Sequence, residues 1–141
     1  MKVKTLLKEE IISKSIAVPI APKDIRWSKK SLGEFANESG IYFHLFEDKI
    51  IYIGKATSGT YGTFGERMRR ELHETSSSNN NLHRDLKAFS PDLKTSFLTL
   101  DNISDLDEEL IKLYRALPKE RKALAAEQIL IGHFNPEVNR I

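Results

Sequence analysis

Gly40-Ile41-Tyr42-Phe43-His44-Leu45-Phe46-Glu47-Asp48-Lys49-Ile50-Ile51-Tyr52-Ile53-Gly54-Lys55 is the stretch that decides the fold. Two apolar, β-branched and aromatic runs, Ile41 to Phe46 and Ile50 to Ile53, flank the polar Glu47-Asp48-Lys49, which is the pattern of a β-hairpin. A three-residue loop faces Phe46 with Ile50, and residues of equal parity on the two strands then share a face. Tyr42 and Tyr52 point the same way in that register, with His44 beside them. A two-residue loop breaks the arrangement. By spacing alone, two tyrosines on one face also suit a half-buried sheet surface, because tyrosine is a good strand residue.

Outward from the hairpin, the chain reads as alternating short elements. Thr5 to Ser13 is expected to be a short helix, Val18-Pro19-Ile20-Ala21-Pro22 extended or turning because proline disfavours a helical predecessor, Ile25-Arg26-Trp27 a short strand, and Ser31 to Asn37 a helical turn. Trp27 suits a core or a lid better than a base-stacking platform. After the hairpin, Ala56 to Gly65 is rich in Thr, Ser and Gly and reads as a loop. Helices are expected over Glu66 to Glu74 and Leu82 to Phe89, the second with Leu82, Leu86 and Phe89 at helical spacing, and a third strand over Lys94 to Leu100. Ser104 and Asp107 resemble a capping box opening a helix with Leu106, Leu110, Leu113 and Leu117 on one stripe. Pro118 suits the first turn of a last helix running to Ile131, closed by Gly132 and Pro136.

A chain of 141 residues and 16.1 kDa with 40% apolar residues is long enough for one domain around a single core. It has no cysteine, which excludes disulfides and thiolate-zinc sites, leaves any metal to oxygen or imidazole ligands, and fits a cytoplasmic location. Met1 to Glu10 lacks the uninterrupted apolar core of a signal peptide, and no run approaches the roughly 20 apolar residues that span a bilayer, so no membrane partner is expected. The net charge of +2 is small for a passive nucleic-acid binder. Its distribution is uneven. Lys55, Arg67, Arg69, Arg70, Arg84 and Lys87 fall mid-chain, and Asp101, Asp105, Asp107, Glu108 and Glu109 form a later acidic block. That split either gives one face a phosphate-attracting potential or marks solvated helix faces.

Glu127 stands out because it sits in Ala123-Leu124-Ala125-Ala126-Glu127-Gln128-Ile129-Leu130-Ile131, with apolar neighbours at nearly every helical contact position. A carboxylate buried there needs a cation. It either pairs with an arginine or lysine for structural reasons or ligates a divalent metal in a site open to solvent.

Gly40-Ile41-Tyr42 followed by Tyr52-Ile53-Gly54 and Lys55 resembles the name-giving motif of the GIY-YIG nucleases. The remaining landmarks follow in order: Arg67 with Phe64 three residues before it, Glu127 in an apolar helix, Leu130-Ile131, Pro136 and Asn139. The resemblance implies an α/β (α+β) domain over residues 40–141, with a small three-stranded mixed or antiparallel sheet flanked by helices, and leaves residues 1–39 as an N-terminal extension. It implies a Mg²⁺-dependent endonuclease, with Mn²⁺ as the alternative ion, in which Tyr42 is the general base, Tyr52 its orienting partner, Arg67 the phosphate ligand, Glu127 the metal ligand and Asn139 a supporting hydrogen-bonder. DNA is the expected partner, with a homodimer or transient pairing for double-strand cuts.

The chemistry of the residues agrees with those roles. Phosphodiester hydrolysis needs the phosphate neutralised, a water activated and the leaving oxygen stabilised. Arg67 can fork to two phosphate oxygens and Lys55 adds a point charge. Tyrosine, with a pKa near 10, becomes a base if a neighbouring cation and a metal favour its phenolate. Arg69, Arg70, His73, His83, Arg84 and Lys87 are the further candidates for contact with nucleic acid. One departure is Glu71, at the position one helical turn after Arg67 where many family members carry histidine; His44, His73 or His83 could supply an imidazole instead. A GIY-YIG-like module that binds structured nucleic acid without cutting it is the rival function.

Overall fold

The computed structural model describes residues 2–18, 20, 27–57, 62–73, 80–89, 91–99 and 119–140. The expected helix with Leu106 to Leu117 and the acidic block at 101–109 lie outside the described residues. The elements, in chain order, are α1 (Lys2–Ser13), β1 (Ile16–Ala17), a 3-10 helix (Lys29–Asn37), β2 (Gly40–Phe46), β3 (Lys49–Ala56), α2 (Phe64–Leu72), α3 (Asn80–Lys87), β4 (Lys94–Thr99), α4 (Lys119–Phe134) and a 3-10 turn (Val138–Arg140). The four strands form one sheet in the order β1-β4-β2-β3, with every pairing antiparallel. The fold is thus mixed α+β, and the sheet has four strands where three were expected. The extra strand comes from the segment before Gly40, as Ile16 and Ala17 pair with Thr95 and Lys94.

The hairpin turns differently from the expected three-residue loop. Phe46 pairs with Lys49 and Leu45 with Ile50, so only Glu47 and Asp48 make the turn, both at positive φ of 50° and 61°. Such left-handed pairs match the twist of the flanking strands. Left uncorrected, that loop would move Tyr52 to the opposite face from Tyr42. The register shifts between His44 and Leu45, however, because Ile51 is an additional residue on β3, and His44 then pairs with Tyr52 and Tyr42 with Gly54. This β-bulge restores the shared face. The Tyr42 and Tyr52 ring centroids are 6.1 Å apart.

Both faces of the sheet are covered, and β2 is buried from Gly40 to Leu45. On one face Tyr42, Phe97, Ile51 and Ala56 pack with Trp27, Leu32 and Ala36 from the N-terminal segment, Phe64, Met68 and Leu72 from α2, and Leu86 from α3. On the other, Ile41, Phe43, Leu45, Ile50 and Ile53 pack with Ile11 from α1 and Ala123 and Leu130 from α4. Trp27 is a core residue, as expected, though it belongs to no strand. α2 starts two residues earlier than its apolar pattern suggested because Thr63 caps it, its hydroxyl accepting from the Glu66 amide at 3.3 Å. α4 passes through Gly132 and ends at Phe134, where Asn135 takes a left-handed φ of 48° and donates its N–H to the Ile131 carbonyl at 2.8 Å. No helix among the described residues is long and apolar enough to cross a membrane.

Two glycines in the hairpin are fixed by close approach. Gly40 has φ of 151°, and a Cβ there would run into the Leu98 carbonyl of β4. A Cβ on Gly54 would run into the Tyr42 phenol. Gly54→Ala should therefore lower the unfolding free energy by about 1–3 kcal/mol and displace Tyr42. Urea unfolding and near-ultraviolet circular dichroism measure both effects, and wild-type values in each would contradict this packing.

Candidate functional site

Tyr42 and His44 alternate on one face of β2, and the α2 residue above them is Glu71. The Tyr42 hydroxyl donates to Glu71 Oε2. The other carboxylate oxygen, Oε1, meets His44 Nε2 at 3.1 Å, and His44 Nδ1 meets Thr95 Oγ1 of β4 at 2.8 Å. With a carboxylate at Glu71, Nε2 bears the donated proton, and a neutral ring then accepts the Thr95 hydroxyl at Nδ1. Exposures of 1% for Tyr42, 0% for His44 and 3% for Glu71 put the chain out of reach of bulk water. An acid so buried is tolerated because both oxygens accept hydrogen bonds. His83 ties down the backbone beneath it, donating Nδ1–H to the Glu71 carbonyl at 2.9 Å.

Glu71 is the residue whose role the sequence reading missed. It shares the buried stripe of Phe64, Met68 and Leu72, the same signal that singled out Glu127. His83, a candidate for contact with nucleic acid, is buried, while His44 bridges Glu71 and Thr95. Tyr42, expected to meet the attacking water, is 1% exposed, whereas its neighbour Tyr52 is only partly covered. The Tyr52 ring lies against Tyr42 and His44, with centroids 6.1 and 5.8 Å away.

Electrostatics link this inner chain to the outer residues. Burial, then the Glu71 charge, pushes the Tyr42 phenol well above its ordinary pKa of 10, and Arg67 opposes the shift only as the smallest contributor. The neighbouring cation thus favours the phenolate, but burial and the Glu71 charge outweigh it in the protein alone. Tyr52 is also raised, first by burial and then by Glu71, with the Tyr42 side chain opposing the rise, Glu127 adding to it and Arg67 opposing it. Glu127 on α4 is raised chiefly by burial, against which Lys55, a hydrogen bond from Gln128 and Arg67 act in that order. Tyr52, Lys55, Arg67 and Glu127 therefore lie within one electrostatic neighbourhood. Its location follows from topology: β3 is the outer strand of the sheet, α2 covers one face, α4 packs on the other, and both can reach its edge. Arg67 shares a helical face with Glu71 one turn on, which favours it over exposed Arg69 and half-buried Arg70 as the site arginine.

Glu127 is 8% exposed and its carboxylate is not fully compensated by its cationic neighbours, so it suits a divalent ion. Among the described residues no group of three or more His, Cys, Asp or Glu gathers into a metal cage. One carboxylate fits Mg²⁺ or Mn²⁺, which keep several waters and take substrate oxygens, and does not fit a structural zinc.

Asn139 acts on β3 directly. Its Oδ1 accepts the Ile53 N–H at 2.8 Å and its Nδ2 donates to the Ile53 carbonyl at 2.9 Å. The side chain thus imitates a neighbouring strand on the open edge, at the residue between Tyr52 and Gly54. Beyond the site, Arg69 near the end of α2 and Arg84 and Lys87 on α3 are exposed, and His73 caps α2 half-buried, its N–H bonded to the Arg69 carbonyl at 3.1 Å. No protein-family model matches the chain, and no curated protein or solved structure matches it.

A raised folded pKa means that, above the ordinary 4.5 of Glu127, the folded protein holds a proton that the unfolded chain has released. Stability contributed by that proton is lost as pH rises through the folded value. Metal-free Glu127→Gln should therefore lose less stability between acid and neutral pH than wild type and melt no lower at pH 7. Added Mg²⁺ should raise Tm of wild type and leave the variant unchanged. Thermal melts read both, and a variant that melts lower or responds equally to Mg²⁺ contradicts the assignment. Asn139→Ala should lower stability by about 1–3 kcal/mol in urea unfolding, through two lost backbone bonds.

Proposed function

We propose that the chain is a Mg²⁺-dependent endonuclease of the GIY-YIG type that hydrolyses DNA phosphodiester bonds. The observation that supports it most is the association of two neighbouring phenols, ring centroids 6.1 Å apart, with Lys55, Arg67 and a buried, under-compensated Glu127. A surface that only held nucleic acid has no use for a carboxylate beside the cations that attract phosphate.

Each residue has a task that its position permits. Arg67 forks onto the scissile phosphate and Lys55 adds charge, which together draw the phosphate into the site. Glu127 would hold the Mg²⁺ or Mn²⁺, which when bound neutralises phosphate charge and stabilises the leaving oxygen. The Tyr42 and Tyr52 pair forms the basic side and takes the proton of the attacking water. Asn139 keeps the β3 backbone in place beneath Tyr52 and Lys55. Exposed Arg69, Arg84 and Lys87 extend the cationic surface to the flanking DNA backbone. One such site makes one cut, so a double-strand break calls for a homodimer or transient pairing on DNA. A cytoplasmic location suits a chain without cysteine.

Supercoiled plasmid should be nicked or linearised with Mg²⁺ and left intact with EDTA. Tyr42→Phe and Glu127→Ala should abolish cutting while gel-shift affinity for DNA stays within about threefold of wild type. DNA bound but never cut by wild type would favour the binding module instead.

A further inference from the structure

The groups gathered at β3 come from both faces of the sheet. Tyr52 and Ala56 belong to the face that α2 covers, and both pack with that core. Lys55 alternates with them and shares the parity of Ile53, which packs with Ala123 and Leu130 of α4, the helix that carries Glu127. Lys55 and Arg67 nevertheless both act on the Glu127 carboxylate, and Glu127 and Arg67 both act on Tyr52. The two sets therefore meet around the open edge of β3. A ligand that touches Arg67 and Tyr52 on one side and Lys55 and Glu127 on the other lies across the β3 backbone.

The register says what that backbone offers. Both polar main-chain groups of Ile53 point away from β2, since the Asn139 side chain binds its N–H and its C=O. β3 is the outer strand, and its pairing with β2 runs in regular steps from Ile53 to Ala56, because the bulge lies earlier, at Ile51. In a regular antiparallel strand the outward groups recur at every second residue. The Lys55 N–H and C=O thus point outward as well. Asn139 takes up the Ile53 pair, and among the described residues nothing accepts the Lys55 N–H.

We propose that the main-chain N–H of Lys55 donates a hydrogen bond to a phosphate oxygen of the nucleic acid, which rests on the reading of this site as one for phosphodiesters. It is a donor on the rim between the two faces, next to the Ile53 groups that Asn139 holds. The long Lys55 and Arg67 side chains attract the phosphate but can follow it as it moves. A strand N–H cannot, so it sets where the phosphate stops relative to Glu127. Hydrogen bonds from fixed N–H groups to anions are short and strong for the same reason that helix N-termini and backbone nests hold phosphate.

Nitrogen-15 NMR of the metal-free wild type tests the contact without cleavage. In the free protein the Lys55 amide should exchange quickly with water, and the Ile53 amide, held by Asn139, slowly. A short DNA duplex added in EDTA should move the Lys55 amide resonance downfield and slow its exchange by about tenfold or more. Single-turnover cleavage with Mg²⁺ adds a second readout from Lys55→Ala and Lys55→Pro. Both lack the ammonium, and only proline lacks the N–H, which an edge strand can lose where that group faces solvent. Lys55→Pro should cut about tenfold or more slowly than Lys55→Ala. Should the proline variant fail to fold, the amide resonance decides. A Lys55 amide that is protected in the free protein, that ignores a duplex moving other amides of the site, or equal rates in the two variants overturns the contact and leaves the endonuclease standing. A duplex that protects the Lys55 amide of a protein that never cuts overturns the endonuclease and leaves the contact.

Discussion

Much of this structure is arranged around one buried negative charge. Glu71 sits between α2 and the sheet, where an isolated carboxylate would be strongly unfavourable, and it is tolerated because Tyr42 and His44 both point hydrogen-bond donors at it. That requirement fixes the rotamer of Tyr42, the orientation of His44, the need for Thr95 beneath it, and the depth at which α2 packs. His83 adds a bond to the same helical turn from α3. A polar network sealed into an apolar core has few alternative arrangements, so it also specifies the position of the helix that carries Arg67.

The hairpin is shaped to deliver the phenols to that charge. A two-residue turn fits the strand twist but reverses the facing of everything beyond it, and the bulge at Ile51 reverses it back. Gly54 leaves room for the Tyr42 ring to lie on β3, and Gly40 lets β4 approach closely enough to bring Thr95 beneath His44. Asn139 then closes the free edge of β3 with a pair of backbone bonds, so the strand bearing Tyr52 and Lys55 is held on both sides. The glycines of the hairpin are thus explained by packing, whatever the site does.

What could be read from the sequence was what depends on neighbours along the chain. Apolar, β-branched and aromatic runs at 41–46 and 50–53 marked the strands, and an acid amid helical apolar residues marked Glu127. The short strand Ile16–Ala17 has too few residues to show a period, and nothing in Ile50-Ile51 announces a bulge. Helix ends were misplaced where a cap outweighed the apolar pattern: Thr63 starts α2 early, and Gly132, with open space beside it, does not stop α4. Glu71 was noticed as a departure and left without a role, because its partners Tyr42 and His44 are 29 and 27 residues away and only the packing of α2 brings them together. The place of His83 was hidden for the same reason, since its partner is a backbone carbonyl in another helix.

In the proposed function, Glu127, Arg67, Lys55 and the phenol pair serve one scissile phosphate at the β3 edge. A crystal structure of the protein with Mn²⁺ and a DNA duplex, read by the anomalous signal of the metal, tests it most directly. The account predicts a single Mn²⁺ on the Glu127 carboxylate at about 2.0–2.3 Å, sharing a phosphate oxygen, with Arg67 on that phosphate and Tyr52 facing the water opposite the leaving oxygen. A metal elsewhere, or DNA lying across a different face with Glu127 pointing away from it, would contradict the account.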